Sequence, residues 1–257
     1  MAEGSALLTS AVLPPPPLPR AADTAVFVDL DGTLAALQIT PQAVGPDPKR
    51  RALLQRLRAA LSGRLAIVSG RALDDIDRVL ERDVPAVAGV HGLVRRTAWG
   101  EIVAPPGEGR IPQAREAFES LARADPGLLV EDKVAAVALH YRRSPQAEGA
   151  CRELAARLAR ALGLKLQEGD HVVELRAPGP DKGEAIAAFM REAPFAGMNP
   201  LFLGDDFTDE SGFAAVRGLG GLAIIVGPRR PTRAQYALSD VEAVHDFLSA
   251  IAEQPKA

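Results

Sequence analysis

Apolar residues along this chain come in two rhythms. Short, nearly unbroken runs occupy 24–30 (TAVFVDL), 65–71 (LAIVSGR), 86–92 (AVAGVHG), 200–206 (PLFLGDD) and 222–227 (LAIIVG). Runs of this length and kind read as strands buried on both faces. Between them the apolar positions recur at helical spacing, at 48–63 (ending on Gly63), 72–82, 182–192, about 208–217 and about 240–252. Strand and helix in alternation predict a parallel sheet with helices on both faces.

The middle of the chain keeps a different order. After a Pro/Gly-rich stretch at 104–112 come a helical pattern (113–125), two strand-like runs (127–133 and 134–142), and a long helical pattern (146–162). Two more runs follow, 164–169 and 171–177, and read as a hairpin turning at Gly169-Asp170. Helix–strand–strand–helix–strand–strand is a small α+β unit and not more of the parallel sheet. The expected organisation is therefore a core of 21–106 and 178–257 with a cap inserted at 107–177, hinged near Pro105-Pro106-Gly107 and Ala177–Pro180. Residues 1–20, with Pro14–Pro17, read as a stiff, unstructured leader.

One feature breaks the strand pattern. Asp29 interrupts the first apolar run, and Asp31 follows two residues later, ahead of Gly32 and Thr33. Ligands gather at the carboxyl ends of strands in such sheets. Ser69 ends the second run, and Asp205 and Asp206 end the 200–206 run. Neighbouring strands would bring four carboxylates and a serine to one rim, where the acids repel unless a cation joins them. A hard divalent ion with oxygen ligands, Mg²⁺, is the expected one. An Asp beside it can attack phosphorus while a second Asp protonates the leaving alkoxide and later activates water. Gly32 and Thr33 permit a tight turn with N–H groups toward phosphate oxygens. Lys182, at a helix start, adds positive charge. Each element alone is commonplace (paired Asp cap helices, Ser-Gly-Arg is an ordinary turn), so the inference rests on their combination.

Composition narrows the partners. The 257 residues carry 30 basic and 33 acidic side chains, net charge −3, with 47% hydrophobic and 25% charged residues. That balance gives no bulk attraction to nucleic acid or to an anionic membrane, and no run of apolar residues is long enough to span a bilayer. The one cysteine, Cys151, excludes an intrachain disulfide and a multi-Cys zinc site, and reads as a small core side chain. A reduced, cytoplasmic compartment is expected.

With these residues in hand, the chain resembles the phosphatases of the haloacid dehalogenase (HAD) superfamily. DLDGTL (29–34), Ser69 of VSGR, Lys182 of DKG and GDDFTDE (204–210) match its four motifs in order. The resemblance implies a HAD-like Rossmannoid core with a C2-type cap and Asp29 as nucleophile. It makes Asp31 the general acid/base, with Ser69 and Lys182 on the phosphoryl group. Mg²⁺ would sit on Asp29, Asp205 and the Asp31 backbone carbonyl, supported by Asp206 and Asp209. Gly32, Thr33, Gly70 and Arg71 complete the phosphate surroundings.

AGVHG (88–92), VEDKVAAVALHYR (130–142) and VVELRAPGPDKGEAI (172–186) are similar to the trehalose-6-phosphate phosphatase family. That similarity runs over about 13–250. It implies Glu131, Lys133 and Glu174 as cap residues bonded to sugar hydroxyls, with His140 and Arg142 as further candidates, in the last step of trehalose biosynthesis. Association with a trehalose-phosphate synthase is a possible corollary. Read alone, Glu131 and Lys133 share strand parity and would suit a surface pair, and His140 a packed core histidine; Glu174 is the odd residue in an apolar strand. Leu93-Val94 stand where the family usually has a small and then an acidic residue. A sucrose-phosphate or mannosyl-3-phosphoglycerate phosphatase, a phosphomutase and a non-catalytic phosphosugar sensor are the rival readings.

Overall fold

The structure, a computed structural model, describes residues 13–104, 109–133 and 135–254. The chain divides into two compact units, Met1–Val103 with Pro180–Ala257, and Ala104–Gly179. The anticipated hinge at Pro105-Pro106-Gly107 lies outside the described residues.

In chain order the first unit supplies β1 (Thr24–Val28), α1 (Pro48–Ala60), β2 (Leu65–Val68), α2 (Leu73–Leu80), β3 (Ala86–Gly89), β4 (Val94–Arg96) and β5 (Ile102–Val103). The second supplies α3 (Arg110–Ala122), β6 (Leu129–Asp132), β7 (Ala136–His140), α4 (Glu148–Leu162), β8 (Lys165–Gly169) and β9 (Val172–Arg176). The chain then returns to the first unit with α5 (Lys182–Phe189), β10 (Asn199–Gly204), α6 (Glu210–Gly218), β11 (Leu222–Val226), β12 (Tyr236–Leu238) and α7 (Val241–Ala252).

Among the described residues the first unit holds one eight-stranded sheet, ordered β12-β11-β10-β1-β2-β3-β4-β5. Its strands run parallel from β12 to β3, and β4 and β5 are added antiparallel at one edge. Successive side chains on a strand face opposite ways. Val26, Val28, Ile67, Leu203 and Ile224 accordingly join one core, with Leu53, Leu57 and Ile76 from α1 and α2 and Val244 and Leu248 from α7. Phe27, Ala66, Val68, Phe202 and Ile225 join another, with Ile186 and Phe189 from α5 and Phe213 from α6. Helices on both faces explain why these runs are apolar without alternation.

Three short strands, β4 and β5 at one side of the sheet and β12 at the other edge, were not anticipated. The leader also differs from expectation where it is described. Leu13 is buried in the second of these cores, and the Pro14 carbonyl accepts from Ala237 N at 3.0 Å. Proline lacks a donor but keeps its acceptor, so it can lie along an edge strand whose N–H faces it. Leu93 and Val94 are buried, and Val94 opens β4 opposite Gly89.

The second unit is a four-stranded antiparallel sheet, β6-β7-β9-β8, with α3 and α4 on one face. Val137, Leu139, Val173 and Leu175 meet Phe118, Cys151 and Ala155 there. The hairpin joining β8 and β9 turns on Asp170 and His171, the latter at φ 58°. Among the described residues no helix is long and apolar enough to cross a membrane.

Candidate functional site

β1, β2 and β10 are neighbours in the sheet, with Val28 opposite both Leu203 and Ile67. Their next residues leave the sheet together, which gathers the four motifs at one rim. Asp29 follows β1 and is buried, its N–H bonded to Leu203 O at 2.9 Å. Lys182 begins α5, a helix capped by Asp181, whose own N–H donates back to Glu184 Oε2 at 3.0 Å. The Lys182 ammonium, 2% exposed, lies 3.0 Å from Asp29 Oδ1 and 2.6 Å from Asp209 Oδ1. The other Asp209 oxygen accepts from the backbone N–H groups of Asp205 and Asp206, each at 3.0 Å. Asp209 thus braces the turn carrying the fourth motif and shares a cation with the nucleophile candidate. Asp206 caps the same turn by accepting from Phe207 N at 2.6 Å.

The site's electrostatics follow from burial. Desolvation lifts the Asp29 carboxyl well above the usual carboxylate range; Lys182 opposes the rise, and Asp209, Asp205 and Asp31 add to it. Burial and the Asp209 charge push Asp205 up to about 7, against Lys182 and the Thr33 hydroxyl. Burial would lower Lys182, but Asp209 and Asp29 overcome that and raise it. These carboxylates therefore hold more negative charge than one ammonium can offset, which is the condition that favours a cation. Oxygens of Asp29, Asp205 and Asp209 lie within 4.8 Å of one another. Both Asp209 oxygens already serve Lys182 and the backbone, so Asp29 and Asp205 are the better ligands. All are hard oxygen donors, which fits a hard divalent ion.

Two backbone features shape this rim. Gly32 has φ +79°, and a Cβ there would sit 2.2 Å from Asp205 Oδ2, so only glycine lets the two loops approach. A Cβ on Gly70 would meet the His91 ring at 2.5 Å. Thr33, fully buried, donates to Asp205 Oδ1 at 3.1 Å, orienting that carboxylate. Ser69 is buried at the end of β2, and its Oγ accepts from Arg71 N at 3.2 Å. Arg71 was anticipated beside the substrate phosphate; its guanidinium forks onto Asp31. Burial would lower it, but the Asp31 and Asp75 bonds hold it above its ordinary value.

On the inserted unit, Ala138 lies opposite Glu131 on one side and Glu174 on the other. That places both acids on the sheet face away from α3 and α4. Lys133 Nζ is 2.5 Å from Glu174 Oε2 and 3.9 Å from Glu131 Oε2, and His140 Nε2 is 2.9 Å from the same Glu131 oxygen. Lys133 and Glu174 are buried. Four of the anticipated cap residues thus form one connected cluster. Arg142 pairs with Asp170 at the β8–β9 turn, 2.6 Å away. Gln167, opposite Glu174, and Arg176 share the cluster's face by register.

Sequence reasoning passed over two residues at the first rim. His91, left-handed at φ 56°, packs against Gly70 and donates its N–H to Ser69 O at 2.9 Å. Arg229 Nε donates to the Asp205 carbonyl at 3.1 Å while its Nη2 pairs with the buried Glu210. Arg229 stands just past the end of β11, close to the strand-end position that singled out the others.

Comparison with known proteins agrees with this geometry. A family model described as Trehalose-phosphatase matches residues 27–242. Trehalose-6-phosphate phosphatase of Escherichia coli is 43% identical over 229 residues, covering 88% of this chain and 85% of its own. A solved trehalose-6-phosphate phosphatase related protein superposes at a TM-score of 0.77 with 29% identity, over 88% of this chain and 96% of its own. A HAD-superfamily phosphatase from Bacteroides thetaiotaomicron shares the fold at a TM-score of 0.58 and 14% identity, over 91% and 96% of the two chains. The match spans both the strand-end acids and the inserted polar face, and by it the chain, HAD-like in fold, belongs to the trehalose-phosphatase family.

Proposed function

We propose that this protein hydrolyses trehalose 6-phosphate to trehalose and inorganic phosphate, with Mg²⁺, through an aspartyl-phosphate on Asp29. The observation that carries the reading is the buried Lys182 ammonium held between Asp29 and Asp209 at the strand-end rim. Lys182 offsets the Asp29 charge, so a phosphate dianion can approach a carboxylate nucleophile. An Asp29 oxygen then attacks phosphorus as the P–O bond to the sugar breaks, and Asp31 gives its proton to the leaving alkoxide. Asp31 next takes a proton from water, which attacks the aspartyl-phosphate phosphorus and restores the Asp29 carboxylate. Ser69 and Lys182 bind the transferring group. Asp29, Asp205 and the Asp31 carbonyl would hold Mg²⁺, which when bound screens nucleophile from phosphate and the charge developing in transfer. Glu131, Lys133 and Glu174 read sugar hydroxyls by charge-assisted bonds, and His140 holds Glu131 in place. Action in the cytoplasm and association with the synthase that makes the substrate belong to the same proposal, and fractionation and co-purification read them.

The test is phosphate release with Mg²⁺ from trehalose 6-phosphate, sucrose 6-phosphate, glucose 6-phosphate and mannosyl phosphoglycerate, with Asp29→Asn as the blank. Trehalose 6-phosphate should lead the panel, and Asp29→Asn should lose roughly 10³-fold or more. Preference for another sugar phosphate overturns the substrate; activity surviving in Asp29→Asn overturns the mechanism.

A further inference from the structure

Asp31 is held by a fork. Arg71 Nε donates to Asp31 Oδ2 and Nη2 to Oδ1, both at 2.6 Å, an arrangement that fixes a carboxylate's plane as well as its position. The Arg71 side chain is 5% exposed and that of Asp31 30%, so the holder is buried and the acid presented. Arg71 Nη1 donates to Pro41 O at 2.8 Å and to Asp75 Oδ2. Asp75, in the first turn of α2, divides its oxygens. Oδ2 serves Arg71, while Oδ1 accepts from Arg78 Nε and Nη2 at 2.9 and 2.7 Å. Arg78 Nη2 also donates to Val44 O at 3.0 Å. The chain Asp31–Arg71–Asp75–Arg78 therefore pins the segment after β1 to α2 through two carbonyls, Pro41 and Val44.

A helix-terminal acid with an i,i+3 arginine accounts for half of this, the Asp75–Arg78 contact. It does not account for the oxygen that reaches back, outside the helix, to a buried guanidinium already spoken for by Asp31. Without that oxygen, Arg71 keeps the Asp31 fork and a single carbonyl, and the fork is free to swing about them.

We propose that Asp75 is a positioning residue for the phosphatase reaction, acting through Arg71 to aim the Asp31 carboxyl at the leaving-group oxygen. The inference rests on the reading of Asp31 as the acid that protonates that oxygen. It makes a selective prediction, because a sugar alkoxide needs that proton to depart and p-nitrophenolate does not. Losing the aim slows the first substrate and spares the second.

The experiment is single-turnover phosphoryl transfer by the full chain with Mg²⁺ at saturating trehalose 6-phosphate and at saturating p-nitrophenyl phosphate. It compares Asp75→Ala, Asp75→Asn and Asp31→Asn with the unaltered protein. Asp75→Ala should slow the sugar phosphate about tenfold, short of the roughly 10²–10⁴-fold range of acid catalysis itself. The aryl phosphate should slow by less than about threefold, with half-saturation unchanged for both. Asp75→Asn, which keeps the shape and loses the charge, should show the same selectivity to a smaller degree, and stands in should Asp75→Ala fail to fold. Equal losses on both substrates, no loss, or a rise in half-saturation at constant rate would each overturn the proposal. Asp31→Asn separates the two layers. If it lacks the selectivity, the acid reading fails; if it shows the selectivity and the Asp75 variants do not, only the positioning role fails.

Discussion

Among the described residues, each unit of this protein buries a lysine between two carboxylates. Lys182 lies between Asp29 and Asp209, and Lys133 between Glu174 and Glu131. The local ionic pattern is nearly the same, yet the settings differ. Lys182 starts a helix past the carboxyl ends of a sheet covered on both faces, and its partner Asp209 is itself fixed by two backbone N–H groups. Lys133 follows a strand of a sheet whose own described helices, α3 and α4, pack on one face, and its partners stand on strand faces. In the first sheet both faces are spent on packing, so chemistry is confined to the rim. In the second, one face remains to carry polar side chains at two-residue intervals. The contrast teaches that a buried ion pair does not announce its role; the element that presents it does.

The comparison breaks most visibly at Lys182. Lys182→Ala leaves Asp29 and Asp209 buried without their shared cation, which should cost about 3–5 kcal/mol of stability. Phosphatase activity should fall on every phosphate ester tested, and denaturant unfolding beside an activity assay checks both. Glu174→Gln keeps volume but removes the charge facing Lys133. It should raise KM for trehalose 6-phosphate about tenfold, as expected for a lost charge-assisted hydrogen bond of roughly 1.5 kcal/mol, with p-nitrophenyl phosphate turnover unchanged. Arg142→Ala sharpens the boundary of the polar face. Because Arg142 pairs with exposed Asp170 at a turn, steady-state kinetics should change by less than about threefold, in line with the small worth of surface pairs.

Legibility in the sequence followed the same division. Asp29, Asp31 and Asp205 were readable because an acid ending an apolar run has few structural excuses. Glu174 was readable for the same reason inside VVEL, and the Glu131–Lys133 face followed from strand parity alone. What was illegible depends on contacts that distant chain supplies. Arg71 was read beside the phosphate, and its bonds to Asp31 and Asp75, 40 residues before it and 4 after, could not be read from the motif alone. His91 acquires its place only when β3 sets it against Gly70. Strands β4 and β12 are three residues long, too short for any period to register. The proline run suggested an unstructured leader because composition counts missing donors and overlooks carbonyls, and Pro14 uses one against Ala237.

The two lysines also supply the most direct test. The measurement is the ratio of kcat/KM for trehalose 6-phosphate to that for p-nitrophenyl phosphate, in Lys133→Ala and in Lys182→Ala. If the core carries the reaction and the inserted unit reads the sugar, Lys133→Ala collapses the ratio at nearly unchanged aryl phosphate turnover. Lys182→Ala then lowers both values together and leaves the ratio close to that of the unaltered protein. An unchanged ratio in Lys133→Ala, or a collapse of the ratio in Lys182→Ala, would contradict the division of labour.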